Sequence, residues 1–120
     1  MLKNILGNHY LIDYYNCNED IISRVKNIEK IMLNAGKLGK LNVVDKCFHQ
    51  FKPFGVSGVL TLKESHFTIH TCPEYKFSSV DLYLCDKKVD EKIIINYLKK
   101  QFDSSNCIIK KIERGALTTL

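Results

Sequence analysis

One stretch, Gly55 to Cys85, brings together side chains able to act as nucleophile, base or acid: Ser57, Ser65, His66, His70, Cys72 and Cys85. A serine beside a histidine suggests acyl chemistry. The G-x-S-x-G elbow is missing, however, because Ser57 sits in V-S-G and Ser65 in E-S-H. Taken alone, Ser65 reads as a solvated turn serine, and Cys85 as a half-buried strand cysteine. His66, His70, Cys72 and Cys85 also invite a metal reading. An extended strand would set His66 and His70 about 13 Å apart, too far for one zinc ion without a sharp bend. No metal is expected.

The elements that hold these residues follow from periodicity. Glu64-Ser65-His66 interrupts two runs of alternating apolar and polar residues, the signature of strands wet on one face. Val56, Gly58, Leu60 and Leu62 share a face, with Ser57 and Thr61 opposite. Phe67 and Ile69 point away from His66, Thr68 and His70. Val80, Leu82 and Leu84 likewise oppose Asp81, Tyr83 and Cys85. One face is a core, and the other collects Ser, His, Tyr and Cys.

Around this centre, His9–Tyr15 reads as a first strand. Asn18 caps a helix whose apolar stripe is Ile21, Val25, Ile28, Met32 and Ala35, with Gly36 as its expected stop. Leu41–His49 is a second strand, and Phe51–Gly55 a turn. The residues from Thr71 to Phe77 form a loop before the strand that ends near Cys85. Asp90 caps a second helix over Glu91–Phe102, with Ile94, Leu98 and either Tyr97 or Phe102 inward. Cys107–Glu113 is a last strand. The order β-α-β-β-β-β-α-β predicts an α/β (α+β) two-layer sandwich, a largely antiparallel sheet with two helices on one face. Something must partly shield the other face, and a second copy of the chain is the expected cover.

At 120 residues the chain is one domain. Its net charge of +5 is spread over scattered lysines, so solvated faces are expected rather than a nucleic-acid patch. Five cysteines without regular spacing, and no apolar leader in the first residues, predict free thiols in a cytoplasmic protein. No apolar run is long enough to span a bilayer.

The string Glu64-Ser65-His66-Phe67-Thr68-Ile69-His70-Thr71, with Pro73-Glu74-Tyr75 and Val80-Asp81 after it, resembles the small prokaryotic type of S-adenosylmethionine decarboxylase. The likeness continues through Phe48-His49-Gln50-Phe51, Gly55-Val56-Ser57-Gly58, Leu6-Gly7-Asn8-His9 and Tyr15-Asn16-Cys17. It covers nearly the whole chain.

The resemblance implies a self-processing enzyme whose cofactor is a pyruvoyl group formed from Ser65. Ser65 Oγ attacks the Glu64 carbonyl, exchanging peptide for ester. Loss of the Ser65 α-proton eliminates the ester, and hydrolysis of the resulting dehydroalanine leaves the ketone and ammonia. The products are a β chain, residues 1–64, and an α chain, residues 65–120, which stay associated. In the family the residue matching His70 takes the α-proton, and the one matching Ser57 helps hold the intermediate. The ketone binds the substrate amine as a Schiff base and withdraws the electrons released with carbon dioxide. Cys85 matches the donor that returns a proton to the substrate α-carbon. Phe51 and Glu74 match substrate-binding positions. The product would supply aminopropyl groups for spermidine, in a homo-oligomer of α/β pairs.

Cys72 departs from the large aromatic residue common at its position in the family, and Lys63 from a small polar one. The change at Cys72 bears on the substrate, so a pyruvoyl decarboxylase of ornithine or arginine stands as an alternative. So does an uncleaved binding protein on the same fold. The placement of Ser65 carries a requirement. It has the opposite parity to His70 on one flat strand, so the Glu64-Ser65 corner must turn its side chain toward the face that bears His70.

Overall fold

The computed structural model describes residues 2–119. Six strands, β1 (Leu2–Tyr15), β2 (Val43–Gln50), β3 (Val56–Leu62), β4 (His66–Cys72), β5 (Phe77–Leu84) and β6 (Asn106–Thr119), form one sheet in the order β2-β3-β4-β5-β1-β6. Every pairing is antiparallel. The predicted alternation holds: β5 buries Ser78, Val80, Leu82 and Leu84 and leaves the residues between them half-buried, and β4 buries Phe67, Ile69 and Thr71, with Thr68 half-buried and His70 exposed between them. The buried row packs on the helices α2 (Val25–Leu38) and α3 (Glu91–Gln101) through Ile28, Met32, Ala35, Ile94 and Leu98. The Tyr14 hydroxyl crosses the layers to donate to the Ile95 carbonyl at 2.9 Å, and burial raises that phenol well above its ordinary pKa.

There are three helices rather than two. The first predicted helix is split into α1 (Glu19–Ser23) and α2 by Arg24, which is extended at φ −117°, ψ 133°. The stripe at three- and four-residue steps runs straight through the break, so periodicity conceals it. What stabilises the break comes from the far end of β2. Gln50 Oε1 accepts the Val25 N–H at 2.7 Å, and its Nε2 donates to the carbonyls of Ser23 (2.9 Å), Phe51 (3.0 Å) and Gly55 (2.9 Å). One amide therefore satisfies backbone groups that the interrupted helix leaves orphaned. Asn18 caps α1 as predicted, accepting from the Ile21 N–H. Gly36 is not a stop. It is buried inside α2, and Gly39 ends the helix.

Other boundaries move outward. β1 begins at Leu2 and β6 reaches Thr119, because the two pair along their whole length, a long-range register that local patterns do not carry. The segment after Thr71 is mostly ordered: β4 continues to Cys72, and Pro73–Tyr75 makes one 3-10 turn before β5. Phe102, not Tyr97, completes the inner row of α3. β2 and β6 are largely exposed, since the helices cover only the middle of the sheet. No helix among the described residues is long and apolar enough to cross a membrane.

Replacing Gln50 by Ala strands the Val25 N–H in a partly buried seam, while the Ser23 carbonyl keeps the Gly55 N–H but loses the side-chain donor. A loss of about 1–3 kcal/mol is expected. It would be measured as a lower urea midpoint at unchanged slope.

Candidate active site

The face away from the helices is organised by the register into rungs. One rung runs Thr61, His66, Tyr83, His9, Ile112 across β3, β4, β5, β1 and β6. Two residues along lies Cys47, Val59, Thr68, Asp81, Leu11, Lys110. Two farther lies His49, Ser57, His70, Ser79, Asp13, Ile108.

Ser57 and His70 meet as neighbours on that third rung, with Ser57 Oγ 2.7 Å from His70 Nδ1. The pairing is a direct product of the β3–β4 register. The His70 ring stands edge-on to Phe51, with centroids 5.9 Å apart, and Phe51 stands edge-on to His49 at 4.6 Å. Phe51 is 40% exposed, so its ring is open to a partner rather than spent in the core. Cys72 lies just past this cluster, and Glu74 is exposed on the 3-10 turn that follows. Burial, reinforced by the charge of Glu74, raises the Cys72 thiol above its ordinary pKa. A shallow groove of about 490 Å³ runs from this end along Ser57, Val59, Thr68 and Asp81.

Ser65 and Cys85 are at the opposite end. Ser65 closes the tight β3–β4 turn, where the Leu62 N–H donates to its carbonyl at 3.0 Å and the Lys63 N–H donates to the Asn42 carbonyl at 3.0 Å. The half-buried Ser65 borders a cavity of about 120 Å³ with Glu64, Lys40, Leu84 and Asp86. Cys85 lies one strand over, just past the end of β5, beside a second cavity of about 220 Å³ shared with Gly7, Asn8 and Glu91. Five residues of one strand separate Ser65 from His70, about 16 Å at strand pitch. The chain thus holds the seven sequence-predicted residues as two clusters: Glu64, Ser65 and Cys85 at one end, Ser57, His70, Phe51 and Glu74 at the other.

Several groups at the Cys85 end escape a local reading. The rings of His9, His66 and Tyr83 contact one another at centroid distances of 5.5 to 5.8 Å. Arg114 Nη1 lies 3.1 Å from His9 Nδ1 and must be the donor, which leaves the proton of the neutral ring on Nε2. That nitrogen is buried without a hydrogen-bond partner, its nearest charge being Asp81 Oδ2 at 3.8 Å. Tyr83 and Asp81 were visible as members of the Cys85 row. His9 and Arg114 were not, because only the pairing of β1 with β5 and β6 brings them there. The five cysteines are unpaired. Among the described residues no group of three or more His, Cys, Asp or Glu side chains is placed to hold a metal ion.

The family model described as S-adenosylmethionine decarboxylase matches residues 8–115. The chain belongs to that family. An S-adenosylmethionine decarboxylase proenzyme of Thermosipho melanesiensis is 42% identical over 110 residues, covering 92% of this chain and 85% of the relative. The proenzyme of Thermodesulfovibrio yellowstonii is 36% identical over 113 residues, covering 94% and 84%. The crystal structure of the adenosylmethionine decarboxylase from Aquifex aeolicus superposes with a TM-score of 0.88 at 32% identity, covering 96% of this chain and 95% of that one. Membership of this decarboxylase family makes the chain a carboxy-lyase.

If Glu74 acts on Cys72 through its charge, Glu74→Gln should lower the thiol pKa and speed alkylation of Cys72 near pH 8. About a two- to threefold gain is expected, the scale of one screened surface charge. Peptide-resolved mass spectrometry at low and high salt checks it, and the gain should shrink in high salt.

Proposed function

We propose that this chain is a proenzyme that cuts itself between Glu64 and Ser65 and then decarboxylates S-adenosylmethionine. The substrate rests on the family match and on the names of the relatives and of the solved structure, all of which carry adenosylmethionine. Nothing favours ornithine, arginine or an uncleaved binding protein over it. The word proenzyme in the relatives' names supports the self-cutting step.

The residues fit a pyruvoyl group at position 65. The serine occupies a turn clamped on both sides by backbone hydrogen bonds, next to a cavity, with a thiol one strand away. Such a ketone supplies a sink for the electron pair released with carbon dioxide. The remaining work belongs to the chain's own side chains. Ser65 Oγ is the nucleophile for the cut. His70 takes the Ser65 α-proton at Nε2, which requires the tautomer whose Nδ1–H donates to Ser57 Oγ. Cys85 holds at Sγ the proton destined for the substrate α-carbon. Phe51 offers a ring face to the adenosyl sulfonium, and Glu74 a carboxylate.

A base about 16 Å from the proton it removes cannot act. The observation that carries the rest is this separation of the two clusters along one open face. Two copies laid face to face about a two-fold axis would set the Ser65–Cys85 end of each over the Ser57–His70 end of the other, building two equal sites. Val59, Ile108 and Ile112, all more than 40% exposed on this face, would gain cover. Spermidine synthesis in the cytoplasm is the setting this reading implies.

The intact mass of denatured protein should show residues 1–64 and a 65–120 fragment that lacks its serine amine. Ser65→Ala should stay whole and release no labelled carbon dioxide from S-adenosylmethionine. A whole wild-type chain without a trappable carbonyl would refute the reading. For the shared site, His70→Ala chains co-expressed with Ser65→Ala chains should regain the cut at Ser65. Alone, Ser65→Ala should stay whole, and His70→Ala should cut at least about a hundredfold more slowly, the usual worth of a general base.

A further inference from the structure

Tyr83 has no place in the machinery described so far, yet its phenol is unusually constrained. In register, Tyr83 faces His9 and Leu84 faces Asn8, so the next position on β1, Gly7, stands opposite Cys85. A Cβ added to Gly7 would lie 2.8 Å from Tyr83 Cε1 and 2.9 Å from its hydroxyl oxygen. The phenol has therefore left its own rung and leans over the bare backbone of Gly7, which carries its hydroxyl to the level of Cys85. Any larger residue at position 7 would push it off. The ring is boxed in by His9 at 5.6 Å, His66 at 5.5 Å and the Arg114 guanidinium at 5.7 Å, the last anchored on His9 Nδ1.

We propose that Tyr83 is a positioning residue for Cys85, its hydroxyl orienting the thiol and stabilising the thiolate left when Cys85 gives up its proton. The proposal rests on the reading of Cys85 as proton donor. A hydrogen bond with Cys85 is the first cause of the raised Tyr83 pKa, followed by burial and the charge on Cys85, with Arg114 opposing. In the step itself the Cys85 S–H bond breaks, its proton goes to the substrate α-carbon, and the bonding pair stays on sulfur. Tyr83 keeps its own proton and donates a hydrogen bond to that sulfur, and Arg114 adds positive charge behind the ring. A thiol held in one direction protonates the substrate carbon. A thiol free to rotate also reaches the cofactor carbon, and protonation there converts the ketone to an amine and ends turnover.

Tyr83→Phe tests this with the ring kept. Cleavage and ketone formation should match the wild type by intact mass. The kcat should fall about tenfold, the order of one hydrogen bond to a charged group, with KM unchanged. The number of turnovers before inactivation should fall alongside it, and the amine form of the 65–120 fragment should accumulate sooner. Gly7→Ala, whose Cβ would crowd both the Tyr83 phenol and the Leu84 carbonyl, should reproduce the loss. Independently of turnover, uncleaved Ser65→Ala protein should alkylate more slowly at Cys85 when Tyr83→Phe is added, again by about tenfold. Wild-type kcat, partition and alkylation in Tyr83→Phe would overturn the proposal. Turnover surviving in Cys85→Ala would instead overturn the donor assignment beneath it.

Discussion

A β-strand brings a side chain back to the same face only every second residue, about 6.6 Å farther on. That pitch, applied to three adjacent antiparallel strands, governs this protein. It sends Val56, Leu60, Phe67, Ile69, Val80 and Leu82 to the helices and Ser57, His70, Tyr83 and Asp81 to the open face. It also forbids Ser65 and His70 from meeting within one chain, however the turn between β3 and β4 is drawn. A side chain in a tight turn can choose its face. It cannot travel the length of five residues. On the proposed assignment of Ser65 and His70, a second chain facing the open side answers that constraint, because the helices cover the other face alone.

The open face differs in kind from end to end. Around His70 it is aromatic and accessible, with Phe51 and His49 beside a hydrogen-bonded Ser–His pair and a carboxylate on the next turn. Around Cys85 it is tighter, with a boxed tyrosine, a buried imidazole nitrogen and an anchored guanidinium. On the proposed assignment, grip on a large, flat, cationic substrate would fall to the first and control of a single proton to the second.

Much of this was legible from residue order. Alternation in β3, β4 and β5 located the face and its members, since each strand's burial depends on its own residues. The Asn18 and Asp90 caps were equally local, each side chain accepting from an N–H three residues on. The break at Arg24 was hidden because Gln50, which sustains it, lies far along the chain. The full reach of β1 and β6 was hidden for the same reason: their outer residues are exposed and unpatterned, and are ordered by each other. Ser57 and His70 could be named from the family likeness, but their contact, and their distance from Ser65, follow only from register. His9 and Arg114 reach the Cys85 end through pairings across nearly the full length of the chain.

The strand order has a consequence for a chain cut at residue 64. The first piece would own β1, β2 and β3, and the second β4, β5 and β6. In the sheet, β1 is threaded between β5 and β6, while β3 abuts β4. The two pieces would thus be dovetailed through three separate seams instead of lying side by side. Pulling them apart would mean unzipping each seam together with the shared core, so a severed backbone leaves behind a single interlocked body.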